Sequence, residues 1–261
     1  SAQPEADLIN SLAIQEEENW LKRYGGLISS EWLFPKALQI FNESPSCFEA
    51  THRFIEAGDW LVWQLTGVEM RSACQAGYKA LWNDRESYPS HLFLEKLGQG
   101  FSQLRNKLDE KVYPVGTCAG KLTSNMALQL NLLPETFVGT SIIDAHAAVA
   151  GSGVVLPGKM VLVLGTSSCH MTVSKEEVFI EGVAGVVKDG IVPGFYGYES
   201  GQSAVGDIFS WVTSYGLPKE YYCESDKLGI SLHDLLKTKC ASQEPGAHGL
   251  LALDWLNGNR S

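Results

Sequence analysis

The chain has 261 residues, of which 44% are hydrophobic and 19% charged, and it carries a formal net charge of -10. That length fits one large or two modest domains, each with room for a buried core. The acidic surface repels a phosphate backbone and so argues against nucleic-acid binding, although backbone N–H groups and a divalent cation can offset a nucleotide's charge inside a cleft.

The six cysteines are Cys47, Cys74, Cys118, Cys169, Cys223 and Cys240. None forms a C-x-x-C pair or stands at zinc-finger spacing, so reduced and mostly buried thiols are expected rather than a disulfide framework. The sequence opens without a basic and then apolar leader, and no apolar run approaches a membrane span. The expectation is a cytoplasmic protein with no membrane partner. Asn42-Glu43-Ser44 and Asn259-Arg260-Ser261 match the glycosylation sequon, a pattern short enough to arise by chance.

The first half reads helical. A helix is expected from Glu5 to about Tyr24, with Leu8, Leu12, Trp20 and Leu21 near helical spacing and Gly25-Gly26 as its stop. Ser30 and Pro35 open a second helix through Leu38 and Phe41, and Ser46 is a candidate cap for a third that includes Phe48 and Phe54. Asp59 to Leu65 continues the pattern up to Thr66-Gly67. Further helical segments lie between Asn83 and Lys111, broken at Pro89 and Gly98-Gln99-Gly100, and Ser124 caps a helix that ends near Pro134. Thr140 to Asp144 then reads as a short buried strand, and Ala145 to Ala150 as a helix of small residues. From Met160 the texture is β-rich: Met160 to Leu164 is a buried-strand run, Gly165 to Ser168 a turn, and Cys169 to Val173 a second strand. Val183 to Val187, Asp189-Gly190 and Ile191-Val192 read as a hairpin, Gly194 to Glu199 as a strand, and Ser203 to Tyr215 as a helix. A domain boundary falls near Leu156-Pro157-Gly158, dividing the chain into 1–156 and 157–261. Ligands of two-domain α/β enzymes bind in the crevice between domains.

Four segments carry chemistry. Asp144 leaves an apolar run and opens a helix, where the helix N-terminus stabilises negative charge and where open α/β folds hold ligands. The local pattern fits a plain helix cap equally well. His146, on the same helix of small residues, reads more readily as structural than as a ligand. Gly165-Thr166-Ser167-Ser168 exposes N–H and O–H donors in a tight turn suited to phosphate, although many hairpins turn on the same residues. It is not a Walker loop, since no G-x-x-x-x-G-K-[ST] occurs. In Tyr198 to Asp207 a strand ends in Glu199, and Gly201, Gln202 and Gly206 lead into a helix, again suiting a ligand close to backbone. Lys79, beside Gly77, can hydrogen-bond a polyol or simply face solvent.

Taken in order, these motifs resemble the FGGY family of carbohydrate kinases: Asp144-Ala145-His146-Ala147 before a Gly-rich connector, strand–Gly165-Thr166-Ser167-Ser168–strand, then Tyr198-Glu199-Ser200-Gly201-Gln202-Ser203-Ala204-Val205-Gly206-Asp207. Ser29 to Trp32 with Pro35-Lys36, Gly58 to Leu61 with Leu65-Thr66-Gly67, and Tyr113 to Gly116 with Ala119 to Leu122 agree. Within the family, Gly165 to Met171 and Asp254 to Arg260 are most similar to the L-ribulokinase branch. The resemblance implies an α/β, actin/hexokinase-like (ribonuclease H-like) two-domain ATPase fold, here partial. Residues 1–156 would form the C-terminal portion of the first domain, with the sugar site and catalytic aspartate. Residues 157–261 would form the N-terminal portion of the second, with the nucleotide phosphate site. It implies Asp144 as catalytic base and Lys79 and Glu199 as further contacts to the ketose L-ribulose. Gly165, Thr166, Ser167, Gly201, Gln202 and Gly206 would meet the nucleotide phosphates, with ATP and Mg2+ as cofactors, no protein-held metal, and a homodimer allowed. Family members are longer, with an N-terminal Asp-x-Gly-Thr phosphate loop and a later adenine-binding segment that this sequence lacks. It is therefore expected to be a fragment that phosphorylates no sugar alone. Two alternatives stand beside this one: another kinase of the family, acting on xylulose or glycerol, and a non-catalytic sugar-binding fragment.

Overall fold

Alternating helical segments and short strands make up the N-terminal 150 residues of the computed structural model, which describes residues 1–253, 255 and 256. The Asp254 to Arg260 motif, apart from Trp255 and Leu256, and the sequon at Asn259 lie outside the described residues. Helix α1 (Gln3–Gln15) stops earlier than its apolar spacing suggests, because Glu17 adopts φ +53°, and a separate 3-10 helix (Asn19–Tyr24) follows. Helices α2 (Leu33–Glu43), α3 (Pro45–Ala50) and α4 (Ala57–Thr66) come next. In α3 Pro45 holds the first turn and Ser44 the capping position, so Ser46 is no cap and Phe54 falls outside the helix.

Strand β1 (Arg71–Ser72) leads into α5 (Ala73–Lys79), a helix with no expectation attached to it, which starts where the Ser72 hydroxyl accepts the Cys74 N–H. Helix α6 (His91–Leu97), a 3-10 helix (Phe101–Lys107), β2 (Val112–Tyr113) and β3 (Cys118–Lys121) follow. Helix α7 (Ser124–Leu130) is capped by Thr123, not Ser124, and ends at Asn131 in the left-handed region (φ +55°), short of Pro134. Strand β4 (Phe137–Gly139) pairs antiparallel with β3, so the strand expected at Thr140 to Asp144 lies earlier in the chain. Helix α8 (Asp144–Gly151) follows.

One four-stranded sheet has the order β5 (Met160–Leu164), β6 (Ser168–Ser174), β8 (Tyr196–Gln202), β7 (Gly185–Lys188). The apolar strand β5 stands at its edge with Met160, Leu162 and Leu164 more than half exposed, so it is not the buried strand its composition suggests. Strand β7 pairs antiparallel with β8, Gly185 opposite Glu199 and Val187 opposite Gly197. The hairpin therefore closes on Tyr196 to Gln202 rather than on Ile191-Val192. Ile191 and Val192 are instead buried in the connection, which Asp189 anchors by accepting the Gly194 N–H at 2.6 Å. Helices α9 (Gly206–Tyr215), α10 (Lys219–Leu228) and α11 (Leu232–Ala241) complete the described secondary structure, with a short 3-10 turn (Ala247–Gly249).

The described residues divide into two compact units, one holding Ser1–Val163 and His170–Ser200, the other Leu164–Cys169 and the described residues that follow Ser200. The first unit has a dense aromatic core in which Phe41, Phe48 and Phe101 meet at centroid distances of 5.1–5.9 Å and Trp20 meets Phe93 edge-on. Only Cys74 of the six cysteines is fully buried; Cys47, Cys118, Cys223 and Cys240 are exposed. No helix among the described residues is long and apolar enough to cross a membrane.

Candidate active site

The first unit brings α5, α8 and β8 together around one buried histidine. Asp144 is the first residue of α8, after Ile143 at the capping position. Its side chain is exposed, and Oδ1 accepts the N–H of Ala145 at 2.9 Å. Negative charge at this end of α8 faces the unpaired N–H groups of the first turn.

His146 follows within the same turn and is 1% exposed. Its ring stacks on Tyr78 of α5 at a centroid distance of 4.3 Å and an interplanar angle of 24°. Nδ1 lies 3.3 Å from Cys74 Sγ, also on α5, and Nε2 lies 3.1 Å from Glu199 Oε2 on β8. The Nε2 contact is an ion-pair distance without the alignment of a linear hydrogen bond. Cys74 Sγ also accepts the N–H of Ile143 at 3.4 Å, one residue before Asp144. Burial pushes the Cys74 thiol up to about 12; the Ile143 N–H and Lys79 pull it down, Glu199 and Asp59 push it up. It is therefore a neutral thiol. Lys79, at the end of α5, is half-buried and makes no ion pair among the described residues.

Asp59 supports the same corner from α4. It is 2% exposed, accepts the Ser72 N–H at 3.1 Å and the Ser141 hydroxyl at 2.5 Å, and so joins the start of α5 to the segment before α8. Burial raises its carboxyl to about 6, against the Ser141 and Ser72 hydrogen bonds and Arg71, which lower it.

Sequence reading takes Lys79, Asp144 and Glu199 one by one, His146 as structural and Cys74 as a buried thiol; that Cys74, Tyr78 and His146 meet between them is a finding of the structure. The spacing of Cys74 and Tyr78, four apart on one face of a short helix, is the signal that was there to find. Asp59 was hidden as an ordinary first-turn acid.

In the second unit the turn at Gly165 to Ser167 closes on itself, with the Gly165 N–H donating to the Ser167 carbonyl at 2.8 Å. Val205 N–H donates to the Thr166 carbonyl at 2.7 Å and Gly206 N–H to the Gly165 carbonyl at 3.0 Å. The turn and the start of α9 are thus one substructure. A Cβ on Gly206 would lie 2.8 Å from the Gly165 carbonyl oxygen, and one on Gly201 would lie 2.5 Å from that of Ser168. Both glycines are required by close backbone approach. Helix α9 begins at Gly206 rather than Ser203, and Gly201 and Gln202 end β8. Thr166 is exposed and Ser167 half-buried, so their hydroxyls are accessible to a ligand. Among the described residues no three His, Cys, Asp or Glu side chains are grouped to hold a metal ion.

Residues 160–261 match the model of the FGGY family of carbohydrate kinases, C-terminal domain. Over its whole length the chain is 52% identical to a ribulokinase of Shouchella clausii and 49% identical to one of Geobacillus thermodenitrificans, covering 47% and 46% of those proteins. The chain spans about half the length of the curated relatives it matches. Among solved structures it is similar to a xylulose kinase from Rhodospirillum rubrum (TM-score 0.74, 19% identity, 97% of this chain and 49% of that one). A ligand-bound xylulose kinase from Lactobacillus acidophilus is similar too (TM-score 0.76, 15% identity, 98% and 49%). At these identities the structures speak to the fold, which is the partial actin/hexokinase-like α/β fold that the motif order implies.

Proposed function

We propose that this chain, which matches the FGGY C-terminal domain over residues 160–261 and ribulokinases over its whole length, is the part of an ATP-dependent carbohydrate kinase of the FGGY family that binds L-ribulose and supplies the catalytic base. In this reading the complete enzyme converts L-ribulose to L-ribulose 5-phosphate, a step of L-arabinose catabolism, in the cytoplasm. Residues 1–156 belong to the sugar-binding domain and residues 157–261 to the nucleotide-binding one. The observation that carries the proposal is the open carboxylate of Asp144 at the start of α8, next to a buried network that reaches Glu199.

Asp144 accepts the proton of the sugar's primary hydroxyl as that oxygen bonds to the γ-phosphorus and the bond to the departing ADP oxygen breaks. Lys79 and Glu199 orient the ketose, the lysine as donor and the carboxylate as acceptor. In the second unit the accessible Thr166 and Ser167 hydroxyls, with the Gly165, Gly201, Gln202 and Gly206 backbone, receive the nucleotide phosphates. Mg2+ would enter bound to the nucleotide, where it would neutralise phosphate charge, and no cluster of His, Cys, Asp or Glu among the described residues forms a cage for it.

Asp144→Asn in the complete enzyme tests this. It lowers kcat by about 10²- to 10⁴-fold with the fold retained; near-normal turnover overturns the assignment. A panel of L-ribulose, D-xylulose and glycerol decides between branches of the family. A higher kcat/KM for L-ribulose is expected, because buried polar groups discriminate strongly against a substrate that leaves them unpaired.

A further inference from the structure

One side chain in the first unit is buried, titratable and central, and the proposed chemistry does not use it. His146 meets α5 through both Cys74 and Tyr78, and β8 through Glu199. Its place is tightly determined. The Tyr78 ring beneath it is fully enclosed: a Cβ on Gly185, Gly190 or Gly197 would come within 2.6, 2.9 and 2.6 Å of Tyr78 atoms. A ring so held fixes the stacked imidazole above it, leaving rotation about its own bonds to be set by the two ring nitrogens.

Those nitrogens have different partners. A neutral thiol has one hydrogen to give and lone pairs to accept with. Cys74 Sγ accepts the Ile143 N–H and lies 3.3 Å from His146 Nδ1, a contact in which either atom can hold the hydrogen according to the ring's tautomer. On the other side of the ring Nε2 lies 3.1 Å from Glu199 Oε2, in close contact without the alignment of a hydrogen bond. A continuous path runs from the residue before Asp144, through Cys74 and His146, to the carboxylate of Glu199.

We propose that His146, braced by Cys74, is a positioning residue that holds Glu199 in the orientation that receives the sugar. It acts on the substrate through Glu199 and does not touch the reacting atoms. This rests on the reading that Glu199 contacts L-ribulose. The same arrangement recurs where a histidine's second nitrogen is fixed by an outer partner so that the ring's orientation is defined.

The test uses the complete enzyme and measures KM for L-ribulose and for ATP separately, with folding checked by circular dichroism. Glu199→Gln is the reference, and raises the sugar KM. His146→Leu is expected to raise the sugar KM at least tenfold with the ATP KM unchanged. His146→Gln, whose amide can reach the Nε2 position, restores most of the sugar affinity. Because His146 is buried and its leucine variant can fail to fold, Cys74→Ala and Cys74→Ser form a second pair. Alanine cuts the Ile143–Cys74–His146 path and raises the sugar KM several-fold, while serine keeps a donor and an acceptor and stays within about twofold. A role confined to stability lowers the melting temperature without moving the sugar KM of the folded enzyme. If Glu199→Gln raises the sugar KM while folded His146→Leu or folded Cys74→Ala does not, the positioning role is overturned and the sugar contact stands. If Glu199→Gln leaves the sugar KM unchanged, both fall.

Discussion

Gly77 lies inside α5, where helix propensity alone says that alanine stabilises by about 1 kcal/mol. The packing reverses that sign. A Cβ on Gly77 overlaps Val187 Cγ1 and comes within 2.7 Å of its Cγ2 and 3.1 Å of its Cβ. Val187 is 2% exposed on β7, opposite Gly197 of β8, so its branched side chain has no solvent to turn into. Nor can α5 retreat: the Tyr24 hydroxyl donates to the Gly77 carbonyl at 2.6 Å, and neighbouring Tyr78 is closed in by glycines. Overpacking of this kind costs about 1–3 kcal/mol, and the branched, buried neighbour puts Gly77→Ala at the upper end. Less the propensity gain, the net loss is about 1–2 kcal/mol. Urea denaturation of the chain followed by circular dichroism reads this as a lower midpoint at unchanged slope. The same change at Gly151, the last residue of α8 with nothing within 4 Å of its Cβ, stabilises by about 0.4–1 kcal/mol. Combining Gly77→Ala with Val187→Ala relieves the overlap and gives a coupling of about 1 kcal/mol or more. A Gly77→Ala chain as stable as the parent refutes the reasoning.

Two further outcomes are expected. The Asp59 carboxyl sits at about 6 in the folded chain against an ordinary 3.8, so its contribution favours folding below pH 4 and is lost as pH rises through 6. Asp59→Asn removes this, and the stability difference between parent and variant shifts by about 1–3 kcal/mol between pH 4 and pH 7, in the variant's favour at pH 7; parallel stability curves refute it. Arg23, 5% exposed, pairs through Nε with Glu177 at 2.8 Å and through Nη1 with Glu86 at 3.1 Å. Arg23→Met leaves the buried Glu177 with Arg85 as its remaining cation and lowers the unfolding free energy by about 3 kcal/mol, while Arg23→Met with Glu177→Leu recovers most of the loss. A double variant no more stable than Arg23→Met contradicts this.

Much of the architecture was legible in local pattern. Helix α4 stops at Gly67, in the left-handed region, as Thr66-Gly67 indicates, and α2 runs through Leu38 and Phe41 as expected, although Trp32 rather than Ser30 holds its capping position. The departures have different causes: a left-handed Glu17 breaks the helix after α1, β7 passes over Ile191-Val192 to pair with β8, and the burial of β5 depends on which strands lie beside it. An edge strand and a central strand can have identical composition, since what differs is whether a neighbour lies beside them. Helix α5 was missed because its seven residues form for tertiary reasons, capped by Ser72 and seated on β7 through Gly77.

For the site, local pattern marked Asp144 near a helix start and Gly165, Thr166 and Ser167 in a turn between two strands, whereas Glu199, expected to end a strand, lies in the middle of β8. The sequence by itself could not say what the Asp144 carboxylate meets; the structure places Asp144 as the first residue of α8, exposed, with Oδ1 accepting the Ala145 N–H. The tertiary structure alone decided that Cys74, His146 and Glu199, up to 125 positions apart, meet around one imidazole. A buried contact belongs to two surfaces at once, and each stretch of sequence describes only its own.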